Sequence, residues 1–282
     1  MKNICIKNKE EFHDFSGFIL SILLTQGGFS YSVYSTTENR YNVLVARILE
    51  NKNEYVNELK SFLEDEELSN KNFDKINISV ANNRNTIVPC VLFSENQYKE
   101  LFYLNFGIPE NQEILYTKLT KSANTLIYSV DNNLVDFLKT IFPKHKLYSH
   151  ASSFIETNFI KNKIRENREN AKVFVQVFES FIDILVFRNE KIELYNSFDY
   201  KTNNDILYHI VNVFEQLKLS QEETEVSVSG FIETDNIAII HLRKFVRMVY
   251  FEPQNMDFIY FYKFQETLPH YFVNFLNIVK CE

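Results

Sequence analysis

Apolar and polar residues alternate over Phe29–Ser35, where Phe29, Tyr31 and Val33 are separated by Ser30, Ser32 and Tyr34. That is the period-2 pattern of a strand with one buried face. An apolar run, Leu20–Gln26, precedes it, and Gly27-Gly28 between the two predicts a tight hairpin that needs positive φ. Polar Thr36–Arg40 turns the chain into a third strand, Tyr41–Leu49. Tyr55, Leu59, Phe62 and Leu63 then recur at helical spacing, which predicts an amphipathic helix over Glu54–Glu66 before a strand at Lys75–Ala81. The same order returns later in the chain. Val173–Phe178, Phe181–Phe187 and Lys191–Phe198 read as three strands. A helix over Asn203–Leu217, opened by Thr202 or Asn203, and a strand at Glu225–Ser229 complete the second copy. A β-β-β-α-β unit is spelled twice.

Between the copies, Thr86–Phe93 reads as a short strand whose Pro89 assigns it to a sheet edge. Ser94 is the expected N-cap of a helix over Glu95–Phe106 that Gly107 closes. Glu113–Lys118 and Thr125–Val130 are strand-like, Asp131 caps a helix over Asn132–Phe142, and Pro143 ends it. A strand at Lys146–Ser149 and a helix over Ser152–Arg165 follow. After the second copy come a short helix from Thr234 or Asp235 to Lys244, strands at Val246–Phe251 and Phe258–Phe264, and a helix over Leu268–Val279 with Pro269 in its first turn.

Composition narrows the function classes. Gly and Pro number five each, which leaves little material for Gly-rich phosphate loops or long linkers. The 27 Phe and 16 Tyr, with no Trp, read most simply as core filler, the sharper alternative being exposed platforms for stacked bases. A net charge of −7 argues against a phosphate-binding surface and so against nucleic acid as partner. The densest basic cluster, Lys161, Lys163, Arg165 and Arg168, is diluted by Glu156, Glu166 and Glu169. Cys5, Cys90 and Cys281 form neither a CxxC pair nor a disulfide framework, so a reducing, cytoplasmic location is expected. Met1–Phe12 lacks the apolar core of a signal peptide, and no apolar run is long enough for membrane insertion.

Candidate chemistry is sparse. The six histidines form no metal-ligand spacing, and no Walker A, GxSxG or GxGxxG motif occurs. His145 and His150 are expected on opposite faces of a strand. Asp183, between Ile182 and Ile184, reads as a solvent-facing strand residue, although a metal-ligand role stays open. Glu179 has the same two readings. Asp199 and Asp205 flank a helix start, where carboxylates complement the dipole.

The duplicated unit resembles the α/β, two-lobed actin-like ATPase (ribonuclease H-like) fold of actin, Hsp70 chaperones, sugar kinases and pilus-assembly ATPases. More narrowly, the chain resembles an uncharacterised bacterial family with that fold. The residues that carry this likeness are the Leu20–Val33 hairpin, Phe198-Asp199-Tyr200-Lys201-Thr202 running into Asp205-Ile206-Leu207-Tyr208, and Leu268-Pro269-His270-Tyr271-Phe272. The resemblance implies an N-terminal lobe, 1–150, a C-terminal lobe, 151–282, and a nucleotide cleft between them. It also implies an Asp-x-Gly signature at each hairpin and a glycine pair for adenosine. Gln26-Gly27-Gly28 keeps the glycine without the aspartate, Glu179-Ser180-Phe181 keeps an acid without the glycine, and only Gly230 remains of the pair. Phe181 is expected to crowd a phosphate there. Any nucleotide site would therefore use Gly27, Gly28, Ser30, Glu179, Asp183 and Gly230, with ATP and magnesium as the implied ligands. Broken motifs favour a non-catalytic scaffold that binds a protein partner, without catalytic residues, metal or cofactor. The alternative is an ATP-binding switch or phosphotransferase with diverged phosphate loops.

Overall fold

A computed structural model describes residues 2–8, 15–164 and 170–281. Part of Met1–Phe12, one of the six histidines (His13), and Arg165, Glu166, Arg168 and Glu169 lie outside these described residues. In chain order the strands and helices are β1 (Ile4–Lys7), β2 (Phe18–Thr25), β3 (Gly28–Ser35), β4 (Arg40–Ile48), α1 (Tyr55–Asp65), β5 (Lys75–Val80), β6 (Asn85–Pro89) and α2 (Tyr98–Phe106). Then follow β7 (Gln112–Leu119), β8 (Asn124–Asp131), α3 (Asn132–Ile141), β9 (Lys146–Ser149), α4 (His150–Ile164), β10 (Lys172–Val177), β11 (Phe181–Arg188) and β12 (Lys191–Asp199). The last are α5 (Asn203–Gln216), β13 (Glu225–Gly230), α6 (Ile237–Phe245), β14 (Met248–Phe251), β15 (Ile259–Tyr260) and α7 (Val273–Leu276).

The duplication is explicit in the sheets. In the first, β2, β3 and β4 form an antiparallel meander, and β5 and then β9 add parallel to β2 in the order β4-β3-β2-β5-β9. In the second, β10, β11 and β12 form the meander and β13 and then β14 add in parallel, giving β12-β11-β10-β13-β14. Strand for strand the two orders are equivalent. The first sheet is extended outside β4 by β1 and β15. A third sheet, β6-β8-β7, is built from the segment between β5 and β9, and Pro89 does sit on one of its edge strands.

Helices cover the sheets because their apolar faces match. Leu59, Phe62 and Leu63 of α1 pack on Leu20, Ile22, Leu24 and Val33, while Ile206, Ile210, Val213 and Phe214 of α5 pack with Val173, Val175, Ile182 and Ile184. A capping box starts α5: the Thr202 hydroxyl accepts from the Asp205 N–H, and the Asp205 carboxylate accepts from that of Thr202. Helix α4 is buried nearly all round between the two large sheets, with Phe154, Ile155 and Phe159 in a core that also holds Phe174, Leu185 and Phe187. Phenylalanine is thus largely core filler.

Several expectations need correction. The N-terminal β1 was not signalled, since Ile4-Cys5-Ile6-Lys7 offers only two apolar alternations. The expected Thr86–Phe93 strand stops at Pro89 and continues as a 3-10 turn. Helix α2 begins at Tyr98, and Ser94 does not cap it. Of Phe258–Phe264 only Ile259–Tyr260 is strand, the rest being loop and a 3-10 turn. The expected Leu268–Val279 helix is two 3-10 turns around the single helical turn α7. There, packing of Tyr271, Phe272, Phe275 and Leu276 into one aromatic cluster overrides helix propensity.

Candidate functional site

The two equivalent hairpins, β2–β3 and β10–β11, meet tip to tip. The first turn is Gln26-Gly27, the second Glu179-Ser180, where the Phe178 N–H donates to the Phe181 carbonyl at 2.9 Å. The Thr25 hydroxyl donates to Glu179 Oε1 at 3.1 Å, and the Ser180 hydroxyl donates to Gln26 Oε1 at 2.6 Å. The Gly27 N–H is itself engaged by Thr25 Oγ1 at 3.1 Å. A β-carbon on Gly27 would lie 2.5 Å from Glu179 Oε1 and 2.6 Å from Cδ and Cγ. Gly27 is small where the Glu179 side chain lies against it. The space beside this glycine holds the Glu179 carboxylate.

Electrostatics at the tips disfavour a second anion. Among the described residues no Lys or Arg hydrogen-bonds or ion-pairs with Glu179. Tyr200 donates to the Phe178 carbonyl at 2.5 Å, and burial, with Glu179 nearby, pushes its phenol up to about 12. Burial, again with Glu179, holds the Tyr55 phenol protonated well above its ordinary range.

The other expected site residues sit elsewhere. Gly28 begins β3 at φ 153°, paired with Thr25, whereas Gly27 has no positive φ. Ser30 is fully buried within β3. Gly230 ends β13 at φ 89°, and a β-carbon there would lie 2.1 Å from the Val177 carbonyl oxygen and 2.6 Å from its nitrogen. Backbone apposition of β10 and β13 explains this glycine without a ligand. Phe181 does not crowd the tip: it is buried and stacked on Phe178 at 4.8 Å, and Glu179 is the side chain that lies against Gly27.

Asp183 departs most from expectation. It is 0% exposed, accepts from Ser197 Oγ at 2.5 Å through Oδ1, and lies 2.5 Å from His150 Nε2 through Oδ2. His150 opens α4 and does not lie across a strand from His145. Burial, with Asp183 beside it, holds the Tyr195 phenol well above its ordinary value. The cluster is not a nucleophilic triad: Asp183 stands between Ser197 and His150, and the serine that does meet the imidazole, Ser149 with Oγ 3.5 Å from Nδ1, is buried and donates its hydroxyl to Asn85 Oδ1. Its effect is to tie α4 to β11. The missed signal was the apolar residues at consecutive positions of β11, Ile184–Phe187: a strand buried on both faces leaves its one carboxylate no route to water.

A cavity of about 760 Å³ lies beside the first tip, at the carboxyl ends of β2 and β5, between α1, α3 and the loop after β5. Asn53, Asn57, Asn82, Gln112 and Asn133 give it an amide-rich wall, and Arg84, whose guanidinium has no partner among the described residues, is its only cation. Among the described residues no cluster of three or more His, Cys, Asp or Glu could hold a metal.

These features agree with what the chain resembles. The profile of a family described as "Protein of unknown function (DUF3822)" matches residues 8–249. The chain belongs to that family. A solved Bacteroides thetaiotaomicron protein, described as having an actin-like ATPase fold and unknown function, is similar at 25% identity and a TM-score of 0.83, over 96% of this chain and 100% of that one. A chain of the PilM–PilN type IV pilus biogenesis complex is similar in fold at a TM-score of 0.61 and 9% identity, over 93% of this chain and 97% of that one. No curated protein matches. The fold is therefore actin-like. No helix of the described residues is long and apolar enough to cross a membrane.

Proposed function

We propose that this DUF3822 member is a non-catalytic actin-like scaffold that binds a protein partner. The observation that carries it is the Glu179 carboxylate lying against Gly27, with both hairpin tips hydrogen-bonded to each other. Magnesium-assisted phosphoryl transfer needs phosphate cradled by main-chain amides and cations. Here the Gly27 amide is engaged by Thr25 and an acid lies beside it. A fold neighbour found in the PilM–PilN complex supports a partner-binding role. The net charge of −7 argues against nucleic acid, and three free cysteines suit a cytoplasmic setting. We divide the chain into lobes at 150/151, where α4 begins, although α4 packs against both large sheets.

The second reading, an ATP-binding switch, rests on the cavity of about 760 Å³ beside Thr25 and Gln26 and its unpaired Arg84. In that reading Glu179 swings away from Gly27 and the nucleotide lies in this cavity beside Gln26-Gly27-Gly28, while Ser30, Asp183 and Gly230, buried outside the cavity lining, take no part. Purification from the native host followed by nucleotide analysis and native mass spectrometry separates the two. The scaffold should emerge free of nucleotide. A stoichiometric adenine nucleotide would support the switch.

A further inference from the structure

The internal duplication offers a comparison that the two lobes do not satisfy equally. The third strand of the first meander, β4, is covered: β1 pairs antiparallel with it from Ile4↔Ala46 to Lys7↔Val43, and β15 pairs with Arg40 and Tyr41. Its counterpart β12 ends the second sheet. Among the described residues no main-chain hydrogen bond reaches the outer side of β12 over Lys191–Asn196, while the Ser197 N–H is taken by Asn196 Oδ1. An open edge of this length is a template for another strand.

A groove of about 570 Å³ runs along that edge. Its far wall is β6, itself an edge strand, through Ile87 and Pro89, its near wall is Ile192 and Tyr195 of β12, Leu194 turns to the opposite face of the sheet, and Phe159 of α4 also lines the groove. At one end Asn83 Nδ2 donates to Asp199 Oδ1 at 2.6 Å and ties the walls together. The pairing of β11 and β12 shifts register between Val186 and Phe187, leaving Glu193 as the extra residue of a bulge within the groove stretch.

We propose that the outer edge of β12 accepts an extended segment of a partner protein as an added antiparallel strand, as β4 accepts β1. This rests on the scaffold reading and gives that scaffold its docking site. The chemistry of the walls defines the segment. Ile87, Phe159 and Ile192, which pack on one core, favour apolar side chains at every second position of the segment on the face toward α4, like Ile4 and Ile6 of β1. Arg188 pairs with Glu193 and Lys191 balances Glu190 in sign, so the groove asks for no net charge. A helix does not fit this demand, because its main-chain groups are already bonded internally.

The test uses the full chain and a fluorescein-labelled, Lys-flanked peptide that alternates Val and Thr. Saturable binding by fluorescence anisotropy is expected, together with new amide-exchange protection over residues 191–196. N-methylating one set of alternate peptide amides should weaken binding about tenfold or more, and methylating the other set should not. Ile87→Lys, on the β6 wall and away from the β12 fold, should also weaken binding. No binding, equal binding of both methylated peptides, or protection only outside 191–196 overturns the proposal. So does a dimer in light scattering that buries 191–196 and is not displaced by the peptide. Nucleotide found at the cleft would sink the scaffold reading but leave this edge measurement standing, and failure here leaves the cleft untouched.

Discussion

Replacing Gly230 by Ala should be among the most damaging single-methyl changes available in the chain. Gly230 pairs with Val177 in the parallel ladder of β10 and β13, and the next residue, Phe231, donates its N–H to the Val177 carbonyl at 2.7 Å. The added β-carbon would lie 2.1, 2.6 and 2.9 Å from the O, N and C atoms of Val177. These are backbone atoms in the centre of a sheet, so relief requires moving a strand. At φ 89° an alanine is also strained by about 1–3 kcal/mol. Overpacking adds roughly 1–3 kcal/mol. Together the loss is about 2–6 kcal/mol, a large part of the ~5–15 kcal/mol that holds a folded domain. Urea unfolding followed by far-ultraviolet circular dichroism reads it directly. A midpoint equal to the parent's would show that close approach to β10 is not why glycine stands here, and a ligand role for Gly230 would return.

Three further outcomes concern the hairpin tips and two buried histidines. Asp183→Ala strands His150 in the interior and should cost about 3–5 kcal/mol, with Asp183→Asn less harmful; a loss under ~1 kcal/mol in the same titration would contradict the buried pairing. A double-mutant cycle with Thr25→Val and Glu179→Ala should show coupling of about 0.5–1.5 kcal/mol, and strict additivity would mean the tips do not hold each other. Burial holds the His270 imidazole below its ordinary value despite its bond to the Ile232 carbonyl, so the unfolded chain takes up the proton first. Its contribution is complete above about pH 6.5 and is lost as pH falls through the folded value. A pH series of urea midpoints should show a decline below that point that His270→Gln lessens, whereas parallel profiles would refute it.

The duplicated order of elements was legible because each copy sets three strand-sized segments, alternating or continuously apolar, before one 3.6-period helix, so local pattern and element type agree, although β3, expected to have one buried face, is buried on both. Where they part, reading failed. The tail after Leu268 breaks into 3-10 turns because Phe272, Phe275 and Leu276 are positioned by packing, not by propensity. At the site, the loss of the Asp-x-Gly pattern was visible, but not what replaced it. The contacts Thr25–Glu179 and Gln26–Ser180 each span 154 residues and have no local signature. Asp183 misled for a different reason: a carboxylate between two isoleucines implies an exposed face only when one face of the strand meets water.

Whether the cleft takes a triphosphate decides between scaffold and switch. Isothermal titration of the full chain with ATP and magnesium, repeated on Gly27→Val, measures this most directly. We predict no saturable heat below about 1 mM ligand for either protein, which corresponds to binding weaker than about 4 kcal/mol. A one-to-one isotherm in the micromolar range for the parent that Gly27→Val abolishes would contradict the scaffold and establish a nucleotide switch.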